Sequence, residues 1–267
     1  MSEHVAEHAE QVRYPRTVLV TGAAGGMGAV HARALGARGV HVCVADVADP
    51  GPVVDAVRAA GGSASGHELD VTDPAAWARV TGEIGSARGD LGGLVNNAGI
   101  SRRRLFLDTD RETWDRVLRV NLDGPFHGMQ AVAPLLRDSG GGSIVNISSI
   151  SGQVGYFSPS YSASKWGLTG LSKSAAGALA EWGIRVNSLH PGLVGTGLLD
   201  GADEFVRASL RSVPQGRTAR PEEITDALLF LLSDRSAYLT GSEITVDGGL
   251  VSNGLYHRIV ADAGDVR

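Results

Sequence analysis

Tyr161 and Lys165 stand four residues apart in the run Tyr161-Ser162-Ala163-Ser164-Lys165, and a pair of serines, Ser148-Ser149, precedes them. On a helix, positions four apart share a face, so an ammonium would lie beside a phenol. A neighbouring cation favours the phenolate and draws a pKa of ~10 toward working pH, which makes the tyrosine an acid–base device. A serine hydroxyl delivered from the end of a preceding strand would hold a substrate oxygen against that phenol. Tyr and Lys at this spacing usually decorate a helix surface, so the pair gains meaning only from a second feature.

That feature lies upstream, where Thr21-Gly22-Ala23-Ala24-Gly25-Gly26-Met27-Gly28 joins an apolar run to a helical pattern. Gly22, Gly26 and Gly28 allow a sharp turn, and the helix N-terminus that opens around Met27 offers unpaired N–H groups to a pyrophosphate. A plain tight connection would also carry glycines; the downstream context favours the phosphate reading. Asp46 ends the next apolar run, about 20 residues on, where a carboxylate would accept hydrogen bonds from both hydroxyls of an adenosine ribose. A 2′-phosphate beside Asp46 would meet like charge, and neither Gly25 nor Val47 supplies a cation, so NAD is favoured and NADP is the lesser candidate. Asp70 and Val71 follow a third run and would face the adenine edge; Asp70 as a helix cap is an equal alternative.

The elements that must position these groups follow from periodicity. Strands are expected at 17–21, 41–45, 64–69, 91–95, 143–148, 185–189 and 243–246, each short and apolar enough to be buried on both faces. Helices are expected at 27–38, 52–60, 73–87, 110–136, 160–182 and 221–233. Strands alternating with helices define an α/β fold around a parallel sheet. One domain is expected over 14–250, between a flexible tail at 1–13 and a C-terminal extension at 251–267, which either covers a neighbouring subunit's site or, more simply, is disordered. The stretch 192–216 lacks clean periodicity and reads as a flap over the site.

Taken in order, the motifs resemble those of the short-chain dehydrogenase/reductase family over residues 15–249. Thr21-Gly22-x3-Gly26-x-Gly28 is similar to the family's cofactor turn, Asn96-Asn97-Ala98-Gly99 to the motif after its fourth strand, and Asn121 to its helical asparagine. Ser149, Tyr161 and Lys165 resemble its catalytic core, followed by Pro191-Gly192, Thr196 and Asp247-Gly248-Gly249. The resemblance implies a single Rossmann-like, doubly wound domain with a seven-stranded parallel sheet flanked by helices, and hydride transfer between nicotinamide and a carbinol or carbonyl carbon. Tyr161 would move the hydroxyl proton, Lys165 would lower its pKa and hold the nicotinamide ribose, Ser149 would bond the reacting oxygen, and Asn121 would hold a water beside Lys165. Asn97, Ala98 and Gly99 would line the cofactor cleft, and Pro191, Gly192, Val194 and Thr196 would grip the nicotinamide. The segment from Ser149 to Tyr161 is about one residue shorter than the commonest family spacing, which keeps Ser148 as an alternative hydroxyl.

A largely apolar set flanks this centre: Ser151, Gln153, Tyr156 and Phe157 before Tyr161, and Leu193, Leu198 and Leu199 from the flap. Such a lining suits a bulky secondary alcohol or ketone that is cyclic, aromatic or steroid-like. The alternatives are an NADPH-dependent 3-oxoacyl thioester reductase and, more remotely, a non-catalytic dinucleotide-binding protein.

Composition removes other classes. With 24 Lys+Arg against 29 Asp+Glu, the 267-residue chain has a net charge of −5 and no basic footprint for nucleic acid. The single Cys43 lies in an apolar run and excludes an intrachain disulfide. No apolar stretch suits a membrane span, so a cytoplasmic protein is expected, and its two long helices suit a homodimer or homotetramer. His4-Val5-Ala6-Glu7-His8 matches a zinc-peptidase spacing, but in a polar tail it reads as no metal site. Arg102-Arg103-Arg104 reads as a solvated basic turn, with an anion site for a charged substrate as the alternative, and His190 as a buried histidine bonded to backbone.

Overall fold

The computed structural model describes residues 12–199 and 201–264, and the His4/His8 pattern lies outside them. Seven strands form one sheet in the order β3-β2-β1-β4-β5-β6-β7. They are β1 (Thr17–Thr21), β2 (His41–Asp46), β3 (Ser63–Glu68), β4 (Gly93–Asn96), β5 (Gly142–Ile147), β6 (Ile184–Pro191) and β7 (Glu243–Val246), every adjacent pair parallel. Alternation along the strands divides the core. Val18, Val20, Val42, Val44, Val95 and Val145 face one apolar cluster, whereas Leu19, Cys43, Leu94 and Ile144 face the other. The first cluster is closed by α1 (Gly26–Gly36), α2 (Gly51–Ala59) and α8 (Pro221–Leu232). The second is closed by α3 (Pro74–Arg88), α5 (Gly124–Asp138) and α6 (Pro159–Leu179). No helix among the described residues is long and apolar enough to cross a membrane.

Proline and aspartate begin these helices as local chemistry requires. Asp73 accepts from the N–H of Ala75 with Pro74 in the first turn of α3, and Asp110 accepts from the N–H of Thr113 at the start of α4 (Arg111–Leu118).

Three departures from the sequence expectation bear on the site. The helix expected over 110–136 is broken: α4 and α5 are joined by a π-helical turn, Arg119–Asp123, in which the N–H of Gly124 bonds the carbonyl of Arg119. Pro125 has no N–H for the carbonyl of Asn121 four residues before it, so the α-helical ladder cannot run through. The flap contains a helix, α7 (Asp203–Leu210), and the extension forms α9 (Leu250–Ala263) rather than a disordered tail. At the other end Arg13, expected in the tail, is held by its N–H and Nε to the carboxylate of Asp234 at 3.1 and 2.9 Å.

Candidate active site

The order of successive strands reverses between β1 and β4, and the crevice at their carboxyl ends is where an open parallel sheet binds ligands. Thr21 closes β1 there. Its hydroxyl accepts from the N–H groups of Asn97 and Ala98, both at 3.1 Å, and the Asn97 amide donates to the carbonyls of Thr21 and Gly22 at 3.0 and 2.9 Å. The two turns are thereby stapled into one wall. Gly28 packs beneath this wall, where a Cβ would fall 2.2 Å from the carbonyl oxygen of Gly22 and 2.6 Å from the Asn97 amide nitrogen. Gly22, with φ +62°, could not carry a side chain without meeting Ala98 at 2.7 Å. Bare backbone at this crevice fits a nicotinamide dinucleotide, whose pyrophosphate needs close approach to main-chain N–H groups.

The resulting cleft has a volume of about 820 Å³. Gly22, Gly26 and Met27 line one part, Asp46, Asp70 and Val71 another, and Asn97, Ala98 and Gly99 the floor toward Tyr161, Lys165 and Thr196. Asp46 accepts from the N–H groups of Ala24 and Ala48 at 2.9 and 3.0 Å, which braces the glycine turn and leaves further lone pairs for hydroxyl donors. Asp70 holds Thr72 through N–H and hydroxyl bonds, so the cap of α3 is Asp73 instead. Pro191 and Val194 are buried and Gly192 faces a second pocket, so the cleft wall from that segment is Thr196, with Gly197 and Leu198. Exposed Arg116 and Arg119, which the sequence did not single out, also border the cleft.

Tyr161 and Lys165 lie at the inner end. Lys165 is 4% exposed, its Nζ donates to the carbonyl of Ile147 at 2.8 Å, and it lies 5.7 Å from the centroid of the Tyr161 ring. Burial pushes the Lys165 pKa down to about 8. Burial likewise pushes the Tyr161 phenol up to about 12, opposed by a hydrogen bond from the Ser149 hydroxyl. Ser149 Oγ accepts from the N–H of Ser151 at 3.1 Å, which orients that hydroxyl. Ser148 turns away, its hydroxyl bonded to the carbonyl of Lys165 at 3.2 Å. Ser149 is therefore the hydroxyl that the fold brings to the phenol.

Asn121 is fully buried in the π-helical turn, its amide oxygen accepting from the N–H of Ile100 at 2.8 Å and its nitrogen donating to Ile100 and Ser164. A Cβ on Gly99 would lie 3.4 Å from that oxygen and 3.6 Å from Lys165 Nζ, so Asn121 and Lys165 converge on one point of the chain. His190 sits behind Ser149. Its Nδ1 is 2.8 Å from the carbonyl of Ser149, and because a carbonyl only accepts, Nδ1 carries the proton. Burial lowers the pKa of His190, keeping the ring neutral, so it acts as a backbone brace.

A second pocket of about 540 Å³ adjoins the cleft, and Tyr161 and Leu198 line both. Ser149, Ser151, Tyr156, Phe157 and Leu193 line it as the sequence led one to expect. The side chain of Leu199 lies outside the described residues. Gln153 does not line it: its amide nitrogen donates to Glu243 at 3.1 Å and its oxygen accepts from Thr245 at 3.0 Å, tying the loop to β7. Phe205 of α7 and Leu255 of α9 complete the wall, Phe205 packing 5.4 Å from the Phe157 ring. Sequence reasoning missed both because they lie in the segments read as flap and tail. Arg103 also lines this pocket, whereas Arg102 and Arg104 are exposed.

Among the described residues, no group of three His, Cys, Asp or Glu could hold a metal ion. Residues 22–251 match the family profile described as enoyl-(acyl carrier protein) reductase. The chain is 40% identical to a trans-4-hydroxycyclohexanecarboxylate dehydrogenase of Sinomonas cyclohexanicum over 93% of this chain and 95% of that one. It is 42% identical to a 3-alpha-(or 20-beta)-hydroxysteroid dehydrogenase of Mycobacterium tuberculosis over 91% of each. A short-chain type dehydrogenase/reductase from Mycobacterium marinum superposes with a TM-score of 0.86 at 34% identity, over 89% of this chain and 96% of that one. The nucleotide crevice, the sheet order and these matches agree: the chain belongs to the short-chain dehydrogenase/reductase family, oxidoreductases that use a nicotinamide dinucleotide.

Proposed function

We propose that the protein is an NAD-dependent dehydrogenase that interconverts a secondary alcohol and a ketone on a bulky, hydrophobic ring compound, with Tyr161 as its acid–base group. The observation that carries this reading is the meeting of the dinucleotide cleft and the apolar pocket at Tyr161, with Ser149 lining the same pocket. The relatives named for ring alcohols support the substrate class. Asp46 supports NAD, since a 2′-phosphate would add like charge at the end of β2.

Gly22, Gly26 and Met27 would hold the pyrophosphate, Asp46 the adenosine ribose, and Lys165 and Thr196 the nicotinamide end. When bound, the nicotinamide would supply the hydride acceptor or donor. Ser149 donates to the substrate oxygen and fixes it against Tyr161. In oxidation the Tyr161 oxygen takes the carbinol proton; in reduction it gives that proton to the carbonyl oxygen. A phenol held at about 12 by burial is a poor donor of its own proton; Ser149 acts to lower it, and the Lys165 ammonium, 5.7 Å from the ring centroid, would add to that. Lys165 in turn exchanges its proton beside Asn121.

Paired titrations with NADH and NADPH, followed by a hydride-transfer assay over cyclic, aromatic, steroidal and acyl-thioester substrates, test this reading. Tighter NADH binding with turnover of ring alcohols or ketones is expected. NADPH preference with acyl-thioester turnover would overturn it.

A further inference from the structure

Among the described residues, the lining of the apolar pocket contains one charged side chain, Arg103, and no aspartate or glutamate. Arg103 is half-buried between two exposed arginines, and its guanidinium donates to the carbonyl of Leu198 in the opposite wall. No ion pair joins Arg103 to a carboxylate among the described residues. A guanidinium has five donors, and the Leu198 carbonyl cannot occupy them all. Its charge is felt at Tyr156, where it draws the phenol down against the upward push of burial. The Tyr156 ring stands 5.9 Å from that of Tyr161. A half-desolvated cation without a carboxylate, on a wall of Tyr156, Phe157 and Leu193, costs free energy that an anionic ligand would recover.

We propose that the substrate is an alicyclic hydroxy- or oxo-carboxylate, whose carboxylate pairs with Arg103 while its carbinol or carbonyl carbon lies at Ser149 and Tyr161. This rests on the functional reading above, in which Ser149 and Tyr161 mark the reacting centre. The planar fork of Arg103 suits two parallel hydrogen bonds to a carboxylate, and the aromatic and aliphatic walls suit the ring between the two polar ends.

The test is calorimetric titration of the protein, with and without NADH, using cyclohexanecarboxylate and its neutral analogue cyclohexanecarboxamide. The carboxylate is expected to bind about 10- to 100-fold more tightly, the range for a hydrogen bond to a charged partner. That ratio should fall to about 1 in Arg103→Gln and be partly kept in Arg103→Lys, by loss of charge and of the fork respectively. Equal binding of the two ligands, no binding of either, or a preference that survives Arg103→Gln would overturn the proposal. Equal weakening of both ligands in Arg103→Gln would assign Arg103 to tethering Leu198 and also overturn it. A parallel assay compares 4-hydroxycyclohexanecarboxylate with cyclohexanol. Turnover of both without a carboxylate advantage in kcat/KM defeats this inference alone, whereas no turnover of any alcohol defeats the reading on which it rests.

Discussion

Lys165→Met should make the protein more stable and inactive at once. The Lys165 ammonium is 4% exposed, and burial lowers its pKa from 10.5 to about 8. A displacement of that size corresponds to about 3 kcal/mol of preference for the neutral amine in the folded state. The sign follows from proton binding. Between about 8 and 10.5 the unfolded chain holds a proton that the folded chain has released, so the unfolding free energy rises with pH across that window. The penalty is fully present below about 8, where the folded chain must keep a buried charge. Methionine removes it but leaves the carbonyl of Ile147 without its donor, a loss of about 1 kcal/mol. Lys165→Met should therefore be about 2 kcal/mol more stable at neutral pH, the lead shrinking through the window and reversing, to a deficit of about 1 kcal/mol, above it. Urea denaturation followed by tryptophan fluorescence at pH 7 and 9.5, without dinucleotide and at fixed protein concentration, measures the difference. A variant less stable than wild type at pH 7, or a gap unchanged between the two pH values, would refute the assignment of burial as the cause.

Tyr161→Phe should lower turnover by about 10²- to 10⁴-fold while NADH affinity, read by fluorescence titration, is little changed, because only the proton-transferring oxygen is removed. Turnover near wild type would remove Tyr161 from its role. Asp46→Ser combined with Val47→Arg should shift the ratio of NAD to NADP affinities toward NADP, since the carboxylate is replaced by a cation for the 2′-phosphate. An unchanged ratio would show that the ribose is read elsewhere. Trp166 of α6 and Phe126 of α5 are 51% and 41% exposed, apolar surface that a second copy would cover. Light scattering should therefore report a dimer or tetramer, and a monomer at micromolar concentration would contradict that.

The inner strands were legible because both of their faces are buried, which leaves largely apolar runs such as Thr17–Thr21 and residues 42–45; β3 and β7, expected to be buried in the same way, lie at the two edges of the sheet and are only partly buried. α7 and α9 were not: α7 buries no residue and α9 only Gly254, so neither is tied to the core from which the other elements were read. The break at Asn121 was written in Gly124-Pro125, yet the apolar pattern continues across it and hides the missing N–H. Within the site, contiguous features, the glycine turn and Tyr-x3-Lys, could be read from the sequence because each gave the other its context. Arg103, Phe205 and Leu255 meet only because the loop after β4, α7 and α9 converge, and no local pattern marks that. Gln153 misled for the same reason, since its partners Glu243 and Thr245 lie some ninety positions away.

What holds Ser149, Tyr161 and Lys165 in register is a set of buried polar contacts beneath them. The Asn96 amide donates to Asn146 across β4 and β5 at 2.7 Å, and Asn146 donates in turn to Ser172 of α6 at 2.8 Å. His190 of β6 then fixes the carbonyl of Ser149 just beyond β5. These bonds join the two central strands to the helix that carries Tyr161 and Lys165, and each is satisfied only in one alignment. Slipping β5 by one residue would turn Asn146 to the opposite face and leave buried amides unpaired. Apolar side chains of the same volume would stabilise the layer equally well but would not discriminate between registers. The polar layer therefore serves the site in the same way as Lys165: both place desolvated groups in the core, and what they secure is the alignment of Ser149, Tyr161 and Lys165 with the cleft.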